Sequence, residues 1–323
     1  MDKYVGIDLG GTQLKAAIVD TGTGELVGLK QIPTLAREGH DAVMARMAGL
    51  IEDVIDSSSL SKSQISGVGV GVPGVLDLER GLVLFLPNLP GTWPNVPLQA
   101  TLERAVGLPT HLLNDVRSMT LAEWTFGAGR GVDTIACFAI GTGIGGGLVI
   151  NGQLLLGIGG TGGELGHQII DMNGPPCGCG SRGCLEAFAS GPAIAAMGIK
   201  AVVQGLSTSI GEFVDHDLNR ITPKVIAQAA EAGDLIAQEI YETVGFYVGI
   251  AVATILASVG PQKVVIGGGV AQAGELLFEP VRRTVMERVY IMPKERVEIV
   301  PAELGPYAGL AGAALWAKIN QES

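Results

Sequence analysis

The stretch IACFAIGTGIGGGLVINGQLLL, residues 135–156, admits two folds. Its glycines at 141, 143 and 146 satisfy GxGxxG, the fingerprint of a dinucleotide-binding turn, and that motif requires a helix directly after it. The glycines lead instead into an alternating run around Asn151 and Gly152, a pair that favours the tight turn of a β-hairpin. Strand, glycine turn, strand is therefore the reading, and a dinucleotide-dependent oxidoreductase falls with the missing helix. Residues 4–20, YVGIDLGGTQLKAAIVD, repeat the layout: Gly10 falls on Gly141, Thr12 on Gly143 and Asp20 on Asn151. A strand over 4–8, a tight turn at Gly10 and Gly11, a strand over 13–20 and a third over 26–32 make a meander. Its recurrence points to two related halves. Asp8 stands at the mouth of the first turn beside backbone amides that could hold phosphate. One such turn is a weak signal, and the second gives it weight.

The rest of the chain fills in an α/β pattern. Apolar spacing predicts a helix over 41–55, followed by a strand over 68–72 that ends at Pro73 and Gly74. Residues 86–95, with three prolines and two asparagines, read as a rigid loop that either punctuates the surface or supports a substrate. A strand over 110–113 ends in Asn114 and Asp115, ahead of a helix expected from near Ser118 through Trp124. Polar residues at that end of a strand sit where α/β sheets bind ligands, although an Asp there also commonly caps the helix. Beyond the second meander, helices are expected over 191–205, 223–231, 234–258, 275–289 and 307–319, with strands over 263–266 and 297–300. Gly267, Gly268 and Gly269 close the first of these strands, where a nucleoside could rest or a helix could pack closely.

Composition narrows the function. With 323 residues there is length for two domains, and a formal charge of -11 lacks the basic footprint of a nucleic-acid binder. Forty-nine glycines and 5% aromatics suit tight turns and small-residue packing. The start, MDKYVGIDLGG, carries charges where a secretory leader needs an apolar run. The apolar run 244–260, with Gly245 and Gly249, falls short of the roughly 20 residues that a membrane span needs, so a buried central helix is expected and no membrane partner.

Residues 162–186, GGELGHQIIDMNGPPCGCGSRGCLE, hold the remaining chemistry. His167, Cys177, Cys179 and Cys184 supply one imidazole and three thiolates, the ligand set of a closed structural zinc site. Reduced buried thiols, or a disulfide with a bystander histidine, are the competing reading. Gly178, Gly180 and Gly183 favour zinc, since they permit the turns that bring close thiolates onto one ion. Clustered thiolates of this kind suit a reducing cytoplasm.

DLGGT from Asp8, LPNLPG from Leu86, LNDV from Leu113, GTGIGGG from Gly141, GELGH from Gly163, CxCGxxGCLE from Cys177 and IGGG from Ile266 occur in this order. In that order they resemble the ROK family of repressors and sugar kinases over nearly the whole chain. The resemblance implies a two-lobed, actin-like fold, a duplicated ribonuclease-H-type α/β architecture. It implies a smaller lobe of residues 1–117 with 303–323 and a larger lobe of 118–302. Similar glucokinases phosphorylate the 6-hydroxyl of a hexose with ATP and Mg²⁺, and an aspartate in the place of Asp115 is the base. Gly74, Asn88, Asn114, Asp115, Glu164, His167 and Glu186 match positions around the sugar. His167 would turn one nitrogen to zinc and the other to a hydroxyl.

Asp8, Gly10, Gly11, Thr12 and Lys15, with Gly141, Thr142, Gly143, Gly267 and Gly268, match the nucleotide and magnesium positions. Arg117 departs from the family's NDxN, and Thr92 is an insertion in a loop near the sugar. N-acetylmannosamine, N-acetylglucosamine or fructose are alternative acceptors. A sugar-sensing regulator is the alternative of another class, but with the first strand at residue 4 no DNA-reading head is expected. A homodimer is expected.

Overall fold

The computed structural model describes residues 2–86, 89–91 and 93–322 and divides into two compact units. The first comprises residues 1–130, 153–163 and 303–323, and the second residues 131–152 and 164–302.

The first unit runs through β1 (Lys3–Leu9), β2 (Gln13–Asp20), β3 (Leu26–Pro33), α1 (His40–Asp56), β4 (Gly67–Val72), β5 (Val75–Asp77), β6 (Leu82–Phe85), α2 (Leu98–Val106), β7 (Thr110–Asn114) and α3 (Asp115–Thr125), with the C-terminal helix Ala308–Glu322. Its sheet has the order β3-β2-β1-β4-β7. The pairs β1–β2 and β2–β3 are antiparallel, while β1–β4 and β4–β7 are parallel.

β4 shows how the sequence sorts the two faces. Its GVGVGV alternates with the pleat, so Val68, Val70 and Val72 enter the core that α1 closes with Val43, Met47, Leu50 and Ile51. The glycines take the other face, where the C-terminal helix lies on bare backbone. A β-carbon on Gly69 would overlap the Ala313 carbonyl, and one on Gly6 of β1 would overlap the Leu310 carbonyl. The same helix meets α3 at Gly312, where a β-carbon would overlap the Ser118 carbonyl. Trp316 Nε1 donates to the Leu112 carbonyl at 2.8 Å, so the indole enters the packing with its N–H satisfied.

α3 begins at Asp115, earlier than expected from the sequence. Asn114 is the cap: its side chain accepts from the amides of Val116 and Arg117, leaving Asp115 as the first helical residue. The expected lobe limit at residue 117 falls inside this helix.

The second unit holds β8 (Ile135–Ile140), β9 (Ile144–Ile150), α4 (Glu186–Ala189), α5 (Gly191–Val203), α6 (Pro223–Glu231), α7 (Leu235–Ser258), β11 (Lys263–Gly267), α8 (Glu275–Arg288) and β12 (Glu298–Pro301). Its sheet has the order β10-β9-β8-β11-β12, where β10 (Gln153–Leu154) is the short edge at which the chain returns to the first unit. β8–β9 is antiparallel, and β8–β11 and β11–β12 are parallel. The glycine turn thus closes a hairpin with Ile140 opposite Ile144. Strand order and sense repeat those of the first sheet, which makes the duplication visible in topology.

α7 is long and apolar enough, by length and composition, to cross a membrane. Its Tyr241, Val244, Val248 and Val252 are buried within the unit, and its glycines receive α8. A β-carbon at Gly249 would stand 2.5 Å from the Thr284 β-carbon, so the small-residue spacing serves helix packing.

Candidate active site

In the first unit Asp8 lies at the carboxyl end of β1, opposite Lys15 in the β1–β2 register. The turn between these strands is pinned from both sides. The Gly10 amide donates to the Gln13 carbonyl at 3.0 Å, and Thr34, past the end of β3, donates its hydroxyl to the Gly10 carbonyl at 2.6 Å and its amide to the Thr12 carbonyl at 2.9 Å. A β-carbon at Gly10 would approach the Gln13 carbonyl oxygen to 2.6 Å, so that position requires glycine. Gly11 and Thr12 are exposed at the tip. A cavity of about 420 Å³ opens here, lined among others by Asp8, Gly10, Thr12, Lys15 and Tyr307. The Lys15 ammonium stands 5.8 Å above the Tyr307 ring and donates to the Pro306 carbonyl at 3.4 Å.

Asp115 is brought to the same place by β7. Burial, then the Asp115 charge, push the Asp8 pKa up to about 6, while Lys15 pulls it down. Asp115 Oδ1 accepts from the Val116 amide at 2.9 Å, and Asn114 donates its side-chain amide to the Gly74 carbonyl at 3.3 Å. Asp8, Lys15, Gly74, Asn114 and Asp115 are therefore gathered at the carboxyl ends of β1, β4 and β7, as the sequence reading expects of an α/β sheet. Asn88 and Thr92 lie outside the described residues.

In the second unit the equivalent turn is Gly141, Thr142 and Gly143. The Gly141 amide donates to the Gly143 carbonyl at 2.8 Å, and the Gly191 amide, at the start of α5, donates to the Gly141 carbonyl at 2.7 Å. Glu186 Oε2 accepts from the Ile144 amide at 2.8 Å and lies where a β-carbon on Gly143 would be. Gly268, with φ of 88°, sits against the Ile140 carbonyl, which places the end of β11 beside the turn.

The glutamate also borders the cysteine cluster. Glu186 Oε1 is 3.7 Å from Cys177 Sγ, which is 3.7 Å from His167 Nδ1, and Cys179 and Cys184 sulfurs are 3.8 Å apart. One ligand atom from each of His167, Cys177, Cys179 and Cys184 lies within 4.8 Å of the others. A tetrahedral ion with Zn–S of about 2.3 Å has sulfur–sulfur edges of about 3.8 Å, so the spacing fits zinc. The sulfurs are too far apart for a disulfide. Burial pushes the Cys177 thiol up to about 12, so a cation entering here must displace its proton. Gly166 ties this loop to the turn, because a β-carbon there would overlap the Ile144 carbonyl. Thr34, Gly166 and Gly191 were not singled out from the sequence as parts of the site; only the GELGH spelling carried a hint of Gly166.

The ROK family model matches residues 4–320. The chain belongs to the ROK family. It is 39% identical to a glucokinase of Thermotoga maritima over 97% of this chain and 96% of that protein. It is 34% identical to a glucokinase of Halalkalibacterium halodurans over 99% and 96%. The structure of a ROK family glucokinase from Streptomyces griseus in complex with glucose and AMPPNP matches with a TM-score of 0.83 at 30% identity, covering 98% of this chain and 99% of that one. The two repeated sheets are those of the actin-like sugar kinase fold shared by such ROK proteins.

Proposed function

We infer that this chain is an ATP-dependent hexose kinase that transfers the γ-phosphoryl group to the 6-hydroxyl of glucose, with Asp115 as base. The observation that carries the reading is the carboxylate pair Asp8 and Asp115 beside the Gly10–Thr12 turn and Lys15, in a chain whose relatives include glucokinases at 34% and 39% identity.

Phosphoryl transfer asks chiefly for alignment and charge neutralisation. In this reading the amides of Gly10, Gly11 and Thr12 and those of Gly141, Thr142 and Gly143 hold phosphates, and Lys15 adds charge. Gly267 and Gly268, at the end of β11, are assigned to the nucleoside. Mg²⁺, when bound, neutralises the phosphates, and Asp8 is the residue assigned to hold it through water. Asn88, Asn114, Glu164, His167 and Glu186 take the sugar hydroxyls, with the Gly74 carbonyl fixed by Asn114. Asp115 accepts the 6-hydroxyl proton as that oxygen attacks phosphorus. His167, Cys177, Cys179 and Cys184 hold a structural zinc, which has no open position once four protein ligands are in place. With His167 Nδ1 turned to Cys177, Nε2 is the nitrogen assigned to the sugar.

The test is ADP release with ATP and Mg²⁺ across glucose, mannose, fructose, N-acetylglucosamine and N-acetylmannosamine. Glucose is expected to lead; preference for an acetylated sugar moves the acceptor and keeps the mechanism. Asp115→Asn should cut kcat by about 10²–10⁴-fold, the usual worth of a general base, with glucose binding intact. Near-normal turnover in that variant removes Asp115 from the role. Sugar binding without ADP release in the wild type favours a sugar-responsive regulator.

A further inference from the structure

Arg117 is the buried cation of this fold: at 1% exposure it is the only buried Lys or Arg among the described residues. It sits in the first turn of α3, two residues after Asp115. A guanidinium withdrawn from water is tolerated only where its hydrogen bonds are well made, so its partners identify what the fold holds in place. Its Nε donates to the Gly162 carbonyl at 2.7 Å.

Gly162 belongs to an unusual segment. Residues 157–163 read GIGGTGG, and Gly157, Gly159, Gly160 and Gly163 have positive φ. The segment closes on itself, since the Gly162 amide donates to the Leu156 carbonyl at 2.7 Å and the Thr161 amide to the Ile158 carbonyl at 3.2 Å. Its one large side chain, Ile158, is 93% exposed, and Gly160 rests near the Leu78 side chain. A glycine-rich loop has the most backbone freedom to lose, and one charged hydrogen bond from a rigid helix removes much of it. Glu164 is the next residue along the chain.

We propose that Arg117 is a positioning residue: its guanidinium pins the 157–163 loop to the helix that begins with Asp115 and thereby sets Glu164 for the sugar. The inference rests on the reading of Glu164 as a hexose contact. Small displacements of a contact residue suffice to cost rate and affinity, so the anchor acts on the acceptor and not on the nucleotide.

The experiment compares Arg117→Met, Arg117→Lys and Glu164→Gln in the full chain. Its readouts are glucose KM, ATP KM, zinc content and deuterium uptake over residues 156–163. Arg117→Met should raise glucose KM at least tenfold, leave ATP KM within about twofold and zinc unchanged, and speed exchange in the loop, since a charged hydrogen bond is lost there. Arg117→Lys keeps one donor and should fall between; it also supplies the reading should the Met variant not fold. Faster exchange with unchanged glucose KM would mean a purely structural arginine and overturn the proposal, as would unchanged exchange. If Glu164→Gln leaves glucose KM unaltered, the hexose assignment of Glu164 fails and the proposal falls with it. If Glu164→Gln is impaired and both Arg117 variants are normal, the assignment stands and the anchor alone fails.

Discussion

At Asp8 a carboxylate is held out of water beside a second one, Asp115, and both effects disfavour its charged form. Its folded pKa of about 6 lies above the ordinary 3.8, so the unfolded chain gives up this proton first as pH rises. The folded state binds more protons between those values, and stability therefore falls as pH climbs from about 4 to about 6. Above that window the ionised group costs on the order of 1–3 kcal/mol. Asp8→Asn should accordingly raise the urea midpoint at pH 8, change it little at pH 4, and remove turnover. A variant less stable than wild type at pH 8 would contradict the argument. In the wild type, turnover should decline below about pH 6 as Asp8 takes its proton. The cysteine cluster is legible in the sequence because one imidazole and three thiols so close together have few structural uses, whereas Asp8 and Asp115 are legible only through the family resemblance, since an Asp at a strand end also commonly caps a helix. Thr34 is not legible: it secures the Gly10 carbonyl from 24 residues away, and a threonine at a strand end looks like any other.

Glycine serves the elements in two opposite ways here, and periodicity alone does not separate them. The alternation in β4 predicts a strand, yet nothing local says that its glycine face is reserved for the C-terminal helix, since that partner is far along the chain. Gly312→Ala should destabilise by about 3 kcal/mol or more, because the new carbon meets the Ser118 carbonyl on backbone that cannot move aside. Gly49, exposed in α1 with nothing within 4 Å of its missing β-carbon, is the control. Gly49→Ala should stabilise by about 0.5–1 kcal/mol through reduced chain entropy alone. Thermal melts of the two variants check both signs, and equal effects would show that the close approach at Gly312 is absent. α2 could have been read from Leu98, Leu102 and Val106, four residues apart, whereas β5 and β6 are too short to carry a pattern.

Over the whole molecule, two sheets of the same order and sense were foreshadowed by two glycine turns at matching places. The path of residues 153–163 back to the first unit was not, because it depends on which surface the loop packs against and not on any local signal. What the turns and the cysteine loop do together is best read through stability, since a ligand that binds only the folded chain stabilises all of it. Glucose at a hundred times its Kd adds about 2.7 kcal/mol, which for a chain of this size is a rise of about 4 °C in Tm. In the second unit His167 Nδ1 and Glu186 Oε1 each lie 3.7 Å from Cys177 Sγ, so loss of the proposed zinc would release two proposed sugar contacts at once. Cys179→Ser should therefore lose bound zinc and the glucose-dependent rise together. A metal-free variant that keeps the full glucose shift would remove zinc from the sugar site and leave His167 to act by its own packing.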